Sequence, residues 1–157
     1  MKLVDITNQI IFRVLSVFVF VIFISLDIHA QEMLTWDHLA DVTFEEEYDE
    51  EMGGSWLIPI FGNTIKTYQN KQVELEGYLI NLDLDFELII LSLNPYAAYF
   101  FCGMAGPETV VEIQLIDPID KFKLDQRAVI QGELILNKTE FNHFNYILKN
   151  ATIEFID

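Results

Sequence analysis

From Gln72 the apolar residues fall at every second position: Val73, Leu75 and Gly77 alternate with Glu74, Glu76 and Tyr78, and Leu79-Ile80 follow. A side-chain period of two is that of a strand with one buried face. Asn81-Leu82-Asp83-Leu84-Asp85 then supplies a turn, and Phe86 to Ser92 reads as a second strand, too apolar for both faces to meet water. Val110 to Leu115 is a third, stopped by Asp117-Pro118. Arg127 to Leu136 is a fourth and Phe144 to Phe155 a fifth, with a kink expected around Asn150. Gly77 and Gly132 lie inside strands, where glycine marks a bulge or a bend. Ile119 to Gln126, between the third and fourth strands, reads as a short helix or a loop. Five strands with two interior glycines predict a mainly β fold: a small barrel of the oligonucleotide/oligosaccharide-binding (OB) type over residues 71–157, with an N-terminal helix. A sandwich or half-open meander is the alternative.

Residues 31–70 read as a helix and an extended segment packing on that barrel. Thr35 is a good N-cap, Asp37 suits a first turn, and Trp36, Leu39 and Ala40 share a helical stripe that Phe44 and Tyr48 extend. This predicts a helix from Thr35 to about Glu51, with Val42-Thr43-Phe44 open to an extended reading. Nine acids and no Lys or Arg lie between Glu32 and Glu51, a solvated face or a face for cations or a partner. Gly53-Gly54 follows, and Pro59 inside SWLIPIFG marks an edge strand or an extended packing segment.

Residues 1–30 have the pattern of a signal peptide: Lys2 and Arg13, an apolar core from Val14 to Leu26, and Ile28-His29-Ala30 as a small-residue cleavage site. That core is shorter than the ~20 residues a membrane-spanning helix requires. A retained N-terminal anchor is the alternative. The expected location is secreted, in the periplasm. Cleavage after Ala30 leaves 127 residues, one ordinary domain that can bury a sizeable core.

The formal net charge is −16, and it repels phosphate backbones and anionic lipid. Nucleic acid is therefore not an expected partner, nor is stable membrane insertion after cleavage. A protein partner or a small ligand is. Cys102 is the single cysteine, so no intrachain disulfide forms.

Two segments carry the candidate site residues. The first is the long loop from Asn94 to Thr109, with Tyr96, Tyr99, Phe100 and Phe101 ahead of Cys102-Gly103 and Gly106-Pro107-Glu108. Loops of this length in small domains are often functional, and solvent loops avoid this many aromatics. From it we select Tyr99, Phe101, Cys102, Gly103, Gly106, Pro107 and Glu108 as ligand or partner contacts. The second is Phe141 to Tyr146, between the fourth and fifth strands, which adds His143 and Asn145. The loop joining those strands contacts ligands in OB barrels. Cys102 and His143, joined by carboxylates, are the candidate ligands of a zinc-type metal. The other reading of Cys102 is a small buried hydrophobe. No nucleophile–base–orienter set is visible, so no catalytic residues are assigned and a non-enzymatic protein is expected.

Taken together, Trp36-x-x-Leu39-x-x-Val42-x-Phe44, Val73-x-Leu75-x-Gly77-Tyr78-Leu79-Ile80, the Asn94 to Glu108 loop and His143-x-Asn145-Tyr146 resemble an uncharacterised family of small secreted or periplasmic bacterial proteins, classed as a domain of unknown function. Relatives in that family include proteins encoded with transport systems, some of them zinc-linked. The resemblance thus implies an accessory role in handling metals or other cargo at the cell envelope. In that family the loop often carries a second cysteine just before Cys-Gly. Tyr99 stands here instead, which weakens a metal or redox site. Asn81 replaces an expected proline.

Overall fold

A computed structural model describes residues 32–50, 53–82, 88–96, 106–119 and 121–156. The segment expected to be a signal peptide, residues 83–87 where a turn was expected, and residues 97–105 lie outside the described residues.

Five strands close on themselves: β4 (Gln72–Asn81), β5 (Ile89–Ser92), β6 (Val110–Leu115), β7 (Gln126–Leu136) and β8 (Tyr146–Phe155). The neighbour order is β4-β5-β6-β8-β7, and β7 returns to pair with β4, so the sheet is a closed five-stranded barrel. All its pairings are antiparallel except β6 with β8, which is parallel. A two-residue strand, β1 (Glu32–Met33), adds to β4 in parallel.

The strand glycines explain how so few strands close. A Cβ on Gly77 would stand 2.6 Å from the backbone oxygen of Ser92 on the neighbouring strand and 3.1 Å from the Trp36 ring. Only glycine permits that approach. At Gly132 the β7–β8 register shifts between Gln131 and Glu133, a bulge that bends the strand. Asn150, at φ 50°, is the matching irregularity on β8, where the kink was expected. Inside, Leu75, Leu79, Leu91, Val111, Ile130, Leu134 and Leu148 are fully buried.

The acidic segment departs from the helix expected there. The helix α1 is a single turn, Trp36–Leu39. Thr35 caps it as expected, accepting from the His38 N–H, while His38 Nδ1 accepts from the Thr35 N–H. The chain then becomes β2 (Val42–Asp49), paired antiparallel with β3 (Gly54–Phe61) from Val42–Phe61 to Asp49–Gly54. The β-branched pair Val42-Thr43 disfavours helix, and Gly53 at φ 66° supplies the left-handed turn residue. With only two strands, both strands of this hairpin are edges, which accommodates Pro59.

The hairpin is anchored at its base. Phe61 is 8% exposed and meets Tyr146 edge to face at a centroid distance of 5.5 Å. Asp41 Oδ2 accepts from the N–H groups of Thr64 (2.8 Å) and Ile65 (3.3 Å), capping the short helix α2 (Asn63–Lys66) that leads to the barrel. Trp36 Nε1 donates to the carbonyl of Glu76 at 2.8 Å, fixing α1 over Gly77. The β6–β7 connection forms no helix among its described residues; Asp125, at φ 62°, turns it into β7.

Candidate functional site

The connection between β7 and β8, residues 137–145, is organised by one side chain. The Asn137 amide donates to the carbonyls of Glu140 (2.8 Å) and Phe144 (3.1 Å), and its Oδ1 accepts from the N–H of Glu140 (2.9 Å). Its own N–H donates to the carbonyl of Asn145 at 2.8 Å. An amide carries both donors and an acceptor, which is why asparagine can close such a turn alone.

His143 and Asn145 both lie in this loop. His143 Nδ1 is 2.8 Å from Oε1 of Glu112, a β6 residue that is 4% exposed. Glu112 also accepts from the Phe144 N–H (3.1 Å) and from Gln114 Nε2 (2.8 Å). A carboxylate only accepts, so Nδ1 carries the proton and Nε2 is the ring nitrogen left over. A buried polar group is costly unless it is hydrogen-bonded, and the two donors from the loop, His143 and the Phe144 N–H, tie it to the barrel wall. Glu112 was not singled out from the sequence. It is 31 residues from His143, and strand alternation offers no signal for that contact.

The loop meets the hairpin at a cleft of about 400 Å³. Tyr48, Trp56, Ile58 and Phe141 supply apolar surface there, with Glu47, Glu50, Lys138 and Thr139 as its polar lining. Trp56 and Phe141 meet in a tilted contact, at a centroid distance of 5.1 Å with planes 42° apart. They are exposed to 38% and 46%, and Tyr48 to 64%. Glu47 sits directly opposite Trp56 in the hairpin register. None of these hairpin residues stood out as a site from the sequence: a helix was expected through Glu47 to Glu50, and Trp56 and Ile58 fell in a segment expected to be an edge strand or an extended packing piece. The available signal was Gly53-Gly54 between two β-forming runs.

The other candidates are placed separately. Pro107–Thr109 is one turn of 3-10 helix leading into β6, tied by Thr109 Oγ1 donating to the Gly106 carbonyl at 2.7 Å. Glu108 lies in that turn. Tyr99, Phe101, Cys102 and Gly103 are outside the described residues, and so is any Cys102–His143 pairing. Among the described residues no group of three or more His, Cys, Asp or Glu side chains is arranged to hold a metal ion. Nor is any described helix long and apolar enough to cross a membrane.

Tyr146 lies beneath this region, fully buried, its hydroxyl donating to the carbonyl of Leu39 at 2.7 Å. Burial holds its ionisation well above the ordinary tyrosine range, and the charges of Glu108 and Asp41 push it further.

No family model matches the chain, and no curated protein matches it. Among solved structures, the chain is similar to the crystal structure of a DUF3299 family protein from Pseudomonas aeruginosa, with a TM-score of 0.54 and 13% identity over 82% of this chain and 97% of that one. At that identity the likeness is one of fold, and the neighbour comes from a bacterial family of unknown function, in keeping with the resemblance drawn from the motifs.

Proposed function

We propose that the chain is a non-enzymatic binding protein of the cell envelope, secreted to the periplasm and built on an OB-like barrel. The observation that carries this reading is the cleft between the β2–β3 hairpin and the 137–145 loop, where Tyr48, Trp56 and Phe141 stay exposed. Aromatic surface left in water in a concave site is what a ligand site looks like before it is filled. The strand order supports the OB label: numbered from β4, the barrel closes 1-2-3-5-4 with the third and fifth strands parallel. The cleft then uses the loop between the fourth and fifth barrel strands, a ligand-contacting loop of that fold. The N-terminal signal pattern supports the location, and the family resemblance supports an accessory role in transport.

The test is an NMR screen of the 31–157 protein against neutral sugars, amino acids, short peptides and organic cations. The reading expects at least one class to shift the Trp56 indole and Phe141 amide signals, and Trp56→Ala to abolish the effect. A screen that leaves the cleft signals unmoved contradicts it.

One observation favours a second reading, a zinc-type protein. Metal-bound histidines commonly donate their other ring N–H to a carboxylate, as His143 does to Glu112. Cys102 and carboxylates would complete that site. Elemental analysis of the purified protein tests it: stoichiometric zinc that falls in His143→Ala supports the reading, and metal-free protein after zinc exposure contradicts it.

A further inference from the structure

We infer that the hairpin–loop cleft takes a small organic cation of the alkylammonium class, seated against the rings of Trp56 and Phe141 with Glu47 and Glu50 at its rim. This rests on reading the cleft as a binding site and adds the charge and chemical class of what it binds.

Three observations converge on that class. First, the cleft offers ring surface: Trp56 and Phe141, in tilted contact with each other, both line it and both keep over a third of their surface exposed. The face of an aromatic ring is its negative pole, and several rings around one space attract a cation more than a neutral group of equal size. Second, the charge is complementary. Glu47 and Glu50 line the cleft against one base, Lys138, and Glu45 and Glu46 continue the acidic strand in a chain of net charge −16. That field concentrates cations and repels anions. Third, about 400 Å³ is the space of a small molecule, not of a folded partner. A bare metal ion would gain little, because rings and two carboxylates do not replace a hydration shell of six or more oxygens.

Lys138 sharpens the case. Its positive charge lines the same cleft and opposes a bound cation, so removing that charge should tighten binding. A site for an anion or for a neutral sugar would show the opposite or no effect.

The experiment is a titration of the 31–157 protein with choline and with 3,3-dimethylbutanol, its neutral isostere, following the indole N–H signals. Trp36 serves as an internal control, since its indole is bonded to Glu76. Choline is expected to move the Trp56 signal and leave that of Trp36 still. The isostere should bind about tenfold more weakly or less, as loss of the cation–ring attraction requires. Glu47→Gln should weaken choline binding and Lys138→Gln should strengthen it, both effects shrinking as salt is raised. Equal binding of choline and isostere, or a neutral sugar that fills the cleft where choline does not, overturns the cation inference and leaves the binding reading standing. No shift with choline, in a protein that also fails the wider screen, overturns both. The choline-to-isostere ratio is read on the unmutated chain, so it survives any variant that fails to fold.

Discussion

Strand β5 buries all four of its residues, Ile89–Ser92, whereas in β3 Trp56 is 38% and Leu57 58% exposed. The two strands are similarly apolar in sequence, and topology separates them. Closing the barrel removes its edges and covers the inner face of β5, where Ile89 and Leu91 join the core, so these side chains contribute to stability. The hairpin is a single strand pair, marginal alone, and holds because Phe61, Ile58 and the Asp41 cap anchor its base. Its outer half leaves Tyr48, Trp56 and Leu57 exposed and holds the site proposed above.

Core truncation should separate the two regions most. Leu91→Ala in β5 is expected to cost about 2–5 kcal/mol, and Leu57→Ala in β3 less than about 0.5 kcal/mol, by urea unfolding. Similar costs would mean the hairpin is part of the cooperative core. Next comes Gly77→Ala, where the added Cβ meets a backbone oxygen that cannot swing away. It should cost on the order of 3 kcal/mol, and a neutral result would show that the barrel can open at β4–β5.

Glu112→Ala removes the acceptor shared by His143, Phe144 and Gln114. An expected loss of about 1–3 kcal/mol, with faster amide exchange through residues 137–145, would follow from the stranded donors. Unchanged exchange would show that Asn137 alone holds the loop.

Tyr146→Phe should cost about 1 kcal/mol near neutral pH. Its pH signature is more specific. The unfolded phenol ionises near pH ~10, while burial keeps the folded one protonated. The folded state then binds more protons, so stability is full below about pH 10 and falls as pH rises. Calorimetry across that range should show a smaller alkaline loss in Tyr146→Phe than in the unmutated protein. Identical slopes would place the cause elsewhere.

The barrel was legible because its signals are local. Alternation from Gln72 marked β4, the limits of Val110–Leu115 agree with β6, Gly77 announced a place where strands pass too closely for a side chain, and Gly132 announced the bulge. The hairpin was legible only in its second strand, where Pro59 marked an edge strand or an extended segment. Three consecutive glutamates at 45–47 hide the period of two, and Trp36, Leu39, Phe44 and Tyr48 happen to keep helical spacing. Val42-Thr43 and the Gly53-Gly54 turn outweigh that spacing, because each acts directly on the backbone. At the site, His143 and Asn145 stood out as polar residues in an aromatic loop. Glu112 and the Trp56–Phe141 contact arise from pairings between distant segments, which one sequence read along its length does not reveal.

The central claim is that recognition lives in the hairpin–loop cleft and stability in the barrel. Trp56→Ala measures both at once, by urea unfolding and by the choline-induced shift of the Phe141 amide. The account predicts an unfolding free energy within about 1 kcal/mol of the unmutated protein and loss of the shift. A preserved shift, or a collapse of the barrel by several kcal/mol, would contradict it.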